Sequence, residues 1–182
     1  MANITLAVTG SISAYKAADL TSQLTKLGHK VTVLMSRSAM DFITPLTLQS
    51  LSKNLVHTDV MVEEDPSLIK HIDIAKETDL FLVAPASANT IAKLAHGMAE
   101  NIVTATALAL PIGIPKLIAP AMNTNMYLNP ATQKNLNTLE EYGFDEVKPR
   151  EALLACGDFG TGALAEVTDI LEKVSNTLNE KK

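Results

Sequence analysis

Four short segments hold most of the residues able to do chemistry: GSISAYKA at 10–17, PASANT at 85–90, PAMNTNMY at 120–127 and ACGDFGTG at 155–162. Cys156 is the only cysteine, so no internal disulfide can form and its thiol is free to be buried or to react. It stands between Ala155 and Gly157, close to Asp158, and Gly157, Gly160 and Gly162 give the segment the composition of a mobile flap or a tightly turned loop. Burial as a small hydrophobe fits poorly there. Asn123 follows Pro120 and Met122; its amide could cap the next helix or bind a carboxylate. His71, in KHIDIAKETD, borders a stretch without a clear period and precedes a strand pattern. As an imidazole, it could take a proton from a thiol or orient a carboxylate. His29, His57 and His96 lie near element ends without polar company and read as surface or satisfied residues.

The first segment reads as a phosphate turn of unusual composition. A dinucleotide fingerprint needs GxGxxG and a P-loop needs a GK[ST] ending, and Gly10, Ser11, Ile12, Ser13 supplies neither. It offers helix-terminal N–H groups and two hydroxyls, to which Ser36 and Ser38 add two more after the second strand. That suffices for a single phosphate and suits a mononucleotide. No acidic residue ends the second strand to hold an adenine ribose, which counts against NAD, while Arg37 leaves NADP as the weaker alternative. Further along, Ser87, Asn89 and Thr90 crowd three polar groups around Ala88, where one cap would suffice; a ring with several hydrogen-bonding edges would use them. The plainer alternative is that these serines only cap helices and that Met122 and Met126 only fill core. One cysteine and four scattered histidines give no metal-ligand pair.

The elements that must position these groups alternate strand and helix. Strands are expected at Asn3–Val8, Lys30–Met35, 79–84 (stopped by Pro85) and 116–119, with a weaker one at 145–148. Helices are expected at 13–27 (capped by Ser13 and closed by Gly28), 38–52, 88–96, 100–110, 124–142 and 166–178. This order specifies an α/β fold with an open parallel sheet, in one domain over 1–182 with a frayed tail from about 179. The stretches 54–70 and 148–161 lack a period and are expected to be functional or mobile loops. A net charge of −5 argues against nonspecific binding to nucleic acid or an anionic membrane. The apolar run IVTATALALPIGIPKLIAPA is divided by Pro111, Pro115 and Lys116, and the N-terminus lacks the pattern of a secretion signal, so a cytoplasmic location is expected.

Together, GSISAYKA, PASANT, PAMNTNM and ACGDFGTG resemble the flavin-dependent cysteine decarboxylases, in particular the stand-alone branch acting on phosphopantothenoylcysteine in coenzyme A synthesis. The likeness covers nearly the whole chain, with four loops agreeing in order and spacing. It implies a Rossmann-like (flavodoxin-like) open sheet with helices on both faces, binding FMN and assembling as homotrimers or as dodecamers of trimers with interfacial active sites. By that resemblance the FMN phosphate would meet Gly10, Ser11, Ile12, Ser13, Ser36 and Ser38, and the isoalloxazine would rest on Ser87, Ala88, Asn89 and Thr90. His71 would be the active-site histidine. Asn123, beside Met122, would hold the substrate carboxylate. Cys156, in a flap with Ala155, Gly157 and Asp158, would be the acid that finishes turnover. Two positions depart from the family: Tyr127 stands where PxMNxxMW has tryptophan, and Ala163 stands where many bifunctional members have arginine after GxG. The resemblance further implies that the ligase joining cysteine to phosphopantothenate is a separate polypeptide. Other readings within reach are a peptidyl-cysteine decarboxylase, a flavin prenyltransferase, or a non-catalytic regulatory flavoprotein. The ACGD flap argues against the first two, and the presence of both His71 and Cys156 against the third.

Overall fold

The computed structural model describes residues 1–62 and 69–180. Strands β1 (Asn3–Val8), β2 (Lys30–Met35), β3 (Val56–His57), β4 (Leu80–Ala86), β5 (Lys116–Pro120) and β6 (Phe144–Glu146) form one sheet in the order β3-β2-β1-β4-β5-β6. Every neighbouring pair is parallel. A sheet covered on both faces needs strands that are apolar throughout rather than alternating, and β4 is buried along its whole length. The covering helices are α1 (Lys16–Lys26), α2 (Pro45–Ser52), α3 (Lys70–Glu77), α4 (Ala88–Ala95), α5 (Ile102–Ala109), α6 (Thr124–Leu128), α7 (Pro130–Glu141) and α8 (Val167–Glu180). Leu20, Leu48 and Ile170 carry α1, α2 and α8 into the core on one face. Ile91, Val103 and Leu139 carry α4, α5 and α7 into the core on the other. The result is the open α/β architecture expected from the alternation. Its winding reverses between β1 and β4, which opens a crevice at the carboxyl ends of those strands.

Several boundaries differ from the sequence pattern, each for a local reason. The first helix opens with a 3-10 turn, Ile12–Tyr15, whose cap is Ser11 rather than Ser13; Gly28 does supply the left-handed residue at its end, with φ 86°. The helix expected at 38–52 is a 3-10 turn, Arg37–Asp41, followed by α2. Pro45 forces Thr44 into an extended conformation, and Thr44 then caps the new helix. Pro130 likewise divides the helix expected at 124–142, with Asn129 extended between α6 and α7. Pro85 does not end β4. The pairing with β5 shifts register between Val83 and Ala86, which accommodates the missing N–H, while the Pro85 carbonyl accepts from the Thr9 N–H.

The strand expected at 145–148 is Phe144–Glu146, and α8 runs on through Asn179 to Glu180. Residues 181–182 of the expected tail, and 63–68 of the aperiodic stretch, lie outside the described residues. The rest of the first aperiodic stretch holds the two-residue β3 and the start of α3, so His71 sits on the first turn of a helix. The second contains an antiparallel hairpin, β7 (Arg150–Leu153) and β8 (Phe159–Ala163), which forms a separate two-stranded sheet.

Candidate active site

The crevice is closed at its base by one buried side chain. Thr9, the residue after β1, donates from Oγ1 to the Pro85 carbonyl (2.7 Å) and accepts from the Ser87 N–H (2.9 Å), so the turns leaving β1 and β4 are fixed to each other. Gly10 follows, and a Cβ there would come within 2.5 Å of Ser38 Cβ. Only glycine lets the first turn lie this close to the turn after β2, and that contact gathers the serines. Ser11 Oγ accepts from the Ser13 N–H (3.3 Å), and Ser36 Oγ accepts from the Ala39 N–H (3.3 Å), so both hydroxyl hydrogens remain to be donated. Ser13 and Ser38 hydroxyls make no hydrogen bond among the described residues.

Above this base lies a cavity of about 500 Å³. Gly10, Ser11, Ile12 and Ser13 line one side with Ser87 and Ala88; Met122 and Asn123 line another; Ala155 and Cys156 reach in from the β7–β8 hairpin. Asn123 does two jobs at once. Its Oδ1 accepts from the Asn125 N–H (2.8 Å) and caps α6, which leaves Nδ2 to donate to Cys156 Sγ at 3.2 Å. The thiol lies 3.4 Å from Asp158 Oδ2, to which it can donate. The hairpin reaches Asn123 because β8 carries glycines: the Gly162 carbonyl accepts from the Met122 N–H (2.9 Å), and a Cβ at Gly162 would overlap the Met122 carbonyl oxygen.

Helix α6 buries no residue fully, so its anchor matters. Tyr127 packs against the second core and donates to Glu146 Oε1 at 2.9 Å, while the Gln133 side chain donates to the Tyr127 carbonyl at 2.7 Å. Burial, then the bond to Glu146, pushes the Tyr127 hydroxyl up to about 12. Burial also raises Glu146, against the opposing effect of the Tyr127 hydrogen bond. The tyrosine that stands in the tryptophan position is therefore a tether from α6 to β6 as well as a packing residue.

Not every candidate residue lines the cavity. The Ser87 hydroxyl accepts from the Thr90 N–H and donates to Thr90 Oγ1, so Thr90 is buried in the cap, and Asn89 lies outside the cavity wall. The crowding of polar groups after β4 is largely one helix cap. Ser36 and Ser38 lie behind the Gly10 turn, and Gly157 and Asp158 form the hairpin tip. His71 stands apart from Cys156 and Asn123, on α3, which packs against α5; its Nδ1 is buried without a hydrogen-bond partner among the described residues. Two charged lining residues were given no role in the sequence reading: Lys16, within GSISAYKA, and Arg150, which among the described residues are the only charged groups in the wall. The register of the hairpin was the missing signal for Arg150, which pairs directly across from Ala163, the position that departs from the family. Among the described residues, no group of three His, Cys, Asp or Glu could hold a metal ion, and no helix is long and apolar enough to cross a membrane.

The flavoprotein family pattern matches residues 1–179. The chain belongs to the flavoprotein family. This flavoprotein is 60% identical over 175 residues to a probable phosphopantothenoylcysteine decarboxylase of Streptococcus mutans, covering 96% of the chain and 98% of that relative. It is 46% identical over 170 residues to the coenzyme A biosynthesis bifunctional protein CoaBC of Bacillus subtilis, covering 93% of the chain but only 41% of that longer protein. Its fold superimposes on a PPC decarboxylase cysteine-to-serine mutant complexed with pantothenoylaminoethenethiol, with TM-score 0.88, 30% identity and 98% of each chain covered. It also matches the FMN-dependent cysteine decarboxylase SpaF, with TM-score 0.86 and 27% identity over 99% of this chain and 97% of that one. A flavin mononucleotide fits the residues present. The turn after β1 offers the Ser11 and Ser13 hydroxyls to a phosphate, the Gly10–Ser38 contact holds the turn after β2 against it, and the adjoining cavity has mostly apolar walls.

Proposed function

We propose that this flavoprotein is a cytosolic, FMN-dependent decarboxylase that converts 4′-phospho-N-pantothenoylcysteine to 4′-phosphopantetheine and CO₂ in coenzyme A synthesis. The observation that carries the reading is the pairing of Asn123 Nδ2 with Cys156 Sγ at 3.2 Å inside the crevice. An amide N–H₂ and a thiol at this spacing can hold a cysteine-derived carboxylate and deliver a proton to the carbon it leaves. Bound FMN supplies the two-electron oxidation of the thiol-bearing carbon, which gives the departing CO₂ an electron sink, and the matching reduction that follows.

The chain's own residues do the rest. Gly10, Ser11, Ile12 and Ser13, with Ser36 and Ser38, hold the cofactor phosphate. Ser87 and Ala88 form the cavity wall nearest that turn. Asn123 orients the carboxylate away from water, Cys156 donates the final proton from Sγ, and the hairpin covers the reacting carbon. Redox equivalents return within one turnover, so the net change is CO₂ replaced by a proton.

His71 serves the cavity of a neighbouring copy, and the working unit is a homotrimer, alone or gathered into dodecamers. Its position outside the chain's own cavity supports this, as do the exposed apolar side chains of Ile12, Tyr15 and Phe42 on the cavity wall. The test is to incubate the holoenzyme with phosphopantothenoylcysteine and measure CO₂ and 4′-phosphopantetheine. Neither product forming would end the reading. Cys156→Ser is expected to release CO₂ without 4′-phosphopantetheine, and mixed oligomers of Cys156→Ser with His71→Asn should regain turnover. If His71→Asn alone leaves decarboxylation unchanged, the histidine's role is refuted.

A further inference from the structure

The cavity wall carries charge at one end only. Lys16, on the first turn of α1, and Arg150, the first residue of β7, are both cationic, and among the described residues the wall has no acidic residue to oppose them. This stands out in a chain of net charge −5. Both cations lean on one carboxylate behind the wall: Arg150 Nε lies 3.0 Å from Glu166 Oε1, and Lys16 Nζ lies 3.7 Å from Glu166 Oε2. One carboxylate against two cations leaves an unmatched positive charge. The lysine contact is too long for a hydrogen bond, so its ammonium keeps its donors. Arg150 commits Nε to the Leu164 carbonyl at 3.2 Å, and the two terminal nitrogens of its fork make no hydrogen bond among the described residues. Their side chains are 19% and 40% exposed, so the charges are partly shielded from water yet reachable from the cavity.

We propose that Lys16 and Arg150 form the subsite for the terminal phosphate of the substrate, an inference that rests on the decarboxylase reading above. An arginine fork with two free terminal nitrogens matches two phosphate oxygens, and the lysine adds a point charge for a third. The layout of the hairpin fits an extended ligand. From Arg150 to Leu153 the strand covers roughly 10 Å, and Cys156 follows at the turn. Along this path Ala152, Leu153 and Leu154 line the cavity and suit the branched hydrocarbon of a pantoyl unit. A molecule with its thiol and carboxylate at Cys156 and Asn123 thus places its phosphate at Arg150. Glu166 neutralises part of the cationic pair before the substrate arrives.

Two phosphates could use such a site, that of the substrate and that of FMN, and the experiment separates them. Holoenzymes carrying Arg150→Gln, Arg150→Lys, Lys16→Gln and Glu166→Gln are compared with wild type in three measurements: flavin content, calorimetric affinity for 4′-phosphopantetheine against pantetheine, and kcat/KM for phosphorylated against unphosphorylated pantothenoylcysteine. The wild type is expected to favour the phosphorylated member of each pair. Arg150→Gln and Lys16→Gln should each cut that preference roughly ten- to hundredfold, mainly through KM, with flavin retained. Arg150→Lys should fall between, and Glu166→Gln should tighten binding of the phosphorylated ligand. Loss of flavin in the Gln variants would assign the cations to FMN, and equal losses for both ligands would make them structural; either overturns the subsite. A wild type that does not turn over phosphopantothenoylcysteine refutes the decarboxylase reading itself. A wild type that turns it over, with variants whose preference is undiminished, refutes only the subsite.

Discussion

The two walls of the cavity are built in opposite ways. The wall formed by the turns after β1 and β4 is continuous with the sheet: Thr9 and Ala86 are fully buried, and the Thr9 hydroxyl locks one turn to the other. The wall formed by β7 and β8 pairs only with itself, and Leu153 and Phe159 near its tip are each 72% exposed. It meets the body through few bonds, chiefly those from the Met122 N–H to Gly162 and from Asn123 to Cys156. A segment with little buried apolar contact opens at low free-energy cost, whereas the sheet edge opens only with the core. On the proposed function, the cofactor would rest against the preformed wall, and the proposed proton donor stands on the wall that can lift to admit substrate and release product.

This contrast predicts that damage to the two walls fails differently. Gly10→Val is expected to have the largest effect. Its Cβ would stand 2.5 Å from Ser38 Cβ, with the sheet on one side and a capped turn on the other, so neither neighbour can move cheaply. Overpacking of about 1–3 kcal/mol should fall on the phosphate turn, seen as FMN affinity reduced by up to roughly a hundredfold. If the variant purified with a full complement of flavin, the rigid wall would not be the phosphate site.

Gly162→Ala collides with the Met122 carbonyl on the other wall, yet the hairpin can lift to relieve it. The expected outcome is flavin retained, faster proteolytic nicking between 153 and 159, and turnover lowered roughly tenfold, because Cys156, the proposed proton donor, would be displaced from Asn123. Flavin loss here would contradict the division of labour between the walls.

Legibility in the sequence follows the same division. The rigid wall was readable because its constraints are local: Gly10, Ser11 and Ser87 sit at strand ends that hydrophobic runs announce, and Ser87 caps α4 as its residue type suggests. Its misreadings were of two kinds: the cap fell on Ser11 rather than Ser13, and Asn89 and Thr90 were expected at the cavity although Thr90 is tied into the Ser87 cap and Asn89 lies outside the wall. Elsewhere the errors were of boundary, where Pro45 and Pro130 divide helices that the apolar period would continue. The hairpin was not readable, because Gly157, Gly160 and Gly162 erase β-propensity and its pairing is sensed only in three dimensions. Arg150 was invisible for that reason, its relevance arising from the register that sets it opposite Ala163. Helix α3 was missed because its eight residues bury only Ala75 fully, too short a pattern to show a period.

The smallest predicted effects test how the walls are joined. Asn123 belongs to neither: it caps α6, and the side chain of Tyr127 ties that helix to Glu146 on β6. Tyr127→Phe leaves a half-buried carboxylate without its donor, costing about 1 kcal/mol of stability, and a severalfold rise in KM should follow as Asn123 loosens. Tyr127→Trp, whose indole N–H can donate, should recover much of the KM. The pH dependence gives the independent check. Burial raises Glu146 above its ordinary 4.5, so the folded state favours the protonated form, and stability should fall as pH rises from 4.5 through the folded value and then level off. Glu146→Gln stays neutral and still accepts from Tyr127, so its melting temperature should lack that step. In Tyr127→Phe the step should move to higher pH, because the carboxylate has lost the hydrogen bond that favours its charge. A second loss of stability, between pH 10 and about 12 as the Tyr127 hydroxyl ionises, should be present in wild type and absent from Tyr127→Phe. If melting curves of wild type and Glu146→Gln run parallel across the acidic range, Glu146 is not the half-buried acceptor that holds α6. Asn123 would then be positioned by its bond to Cys156 on the hairpin, without a tether from α6 to β6.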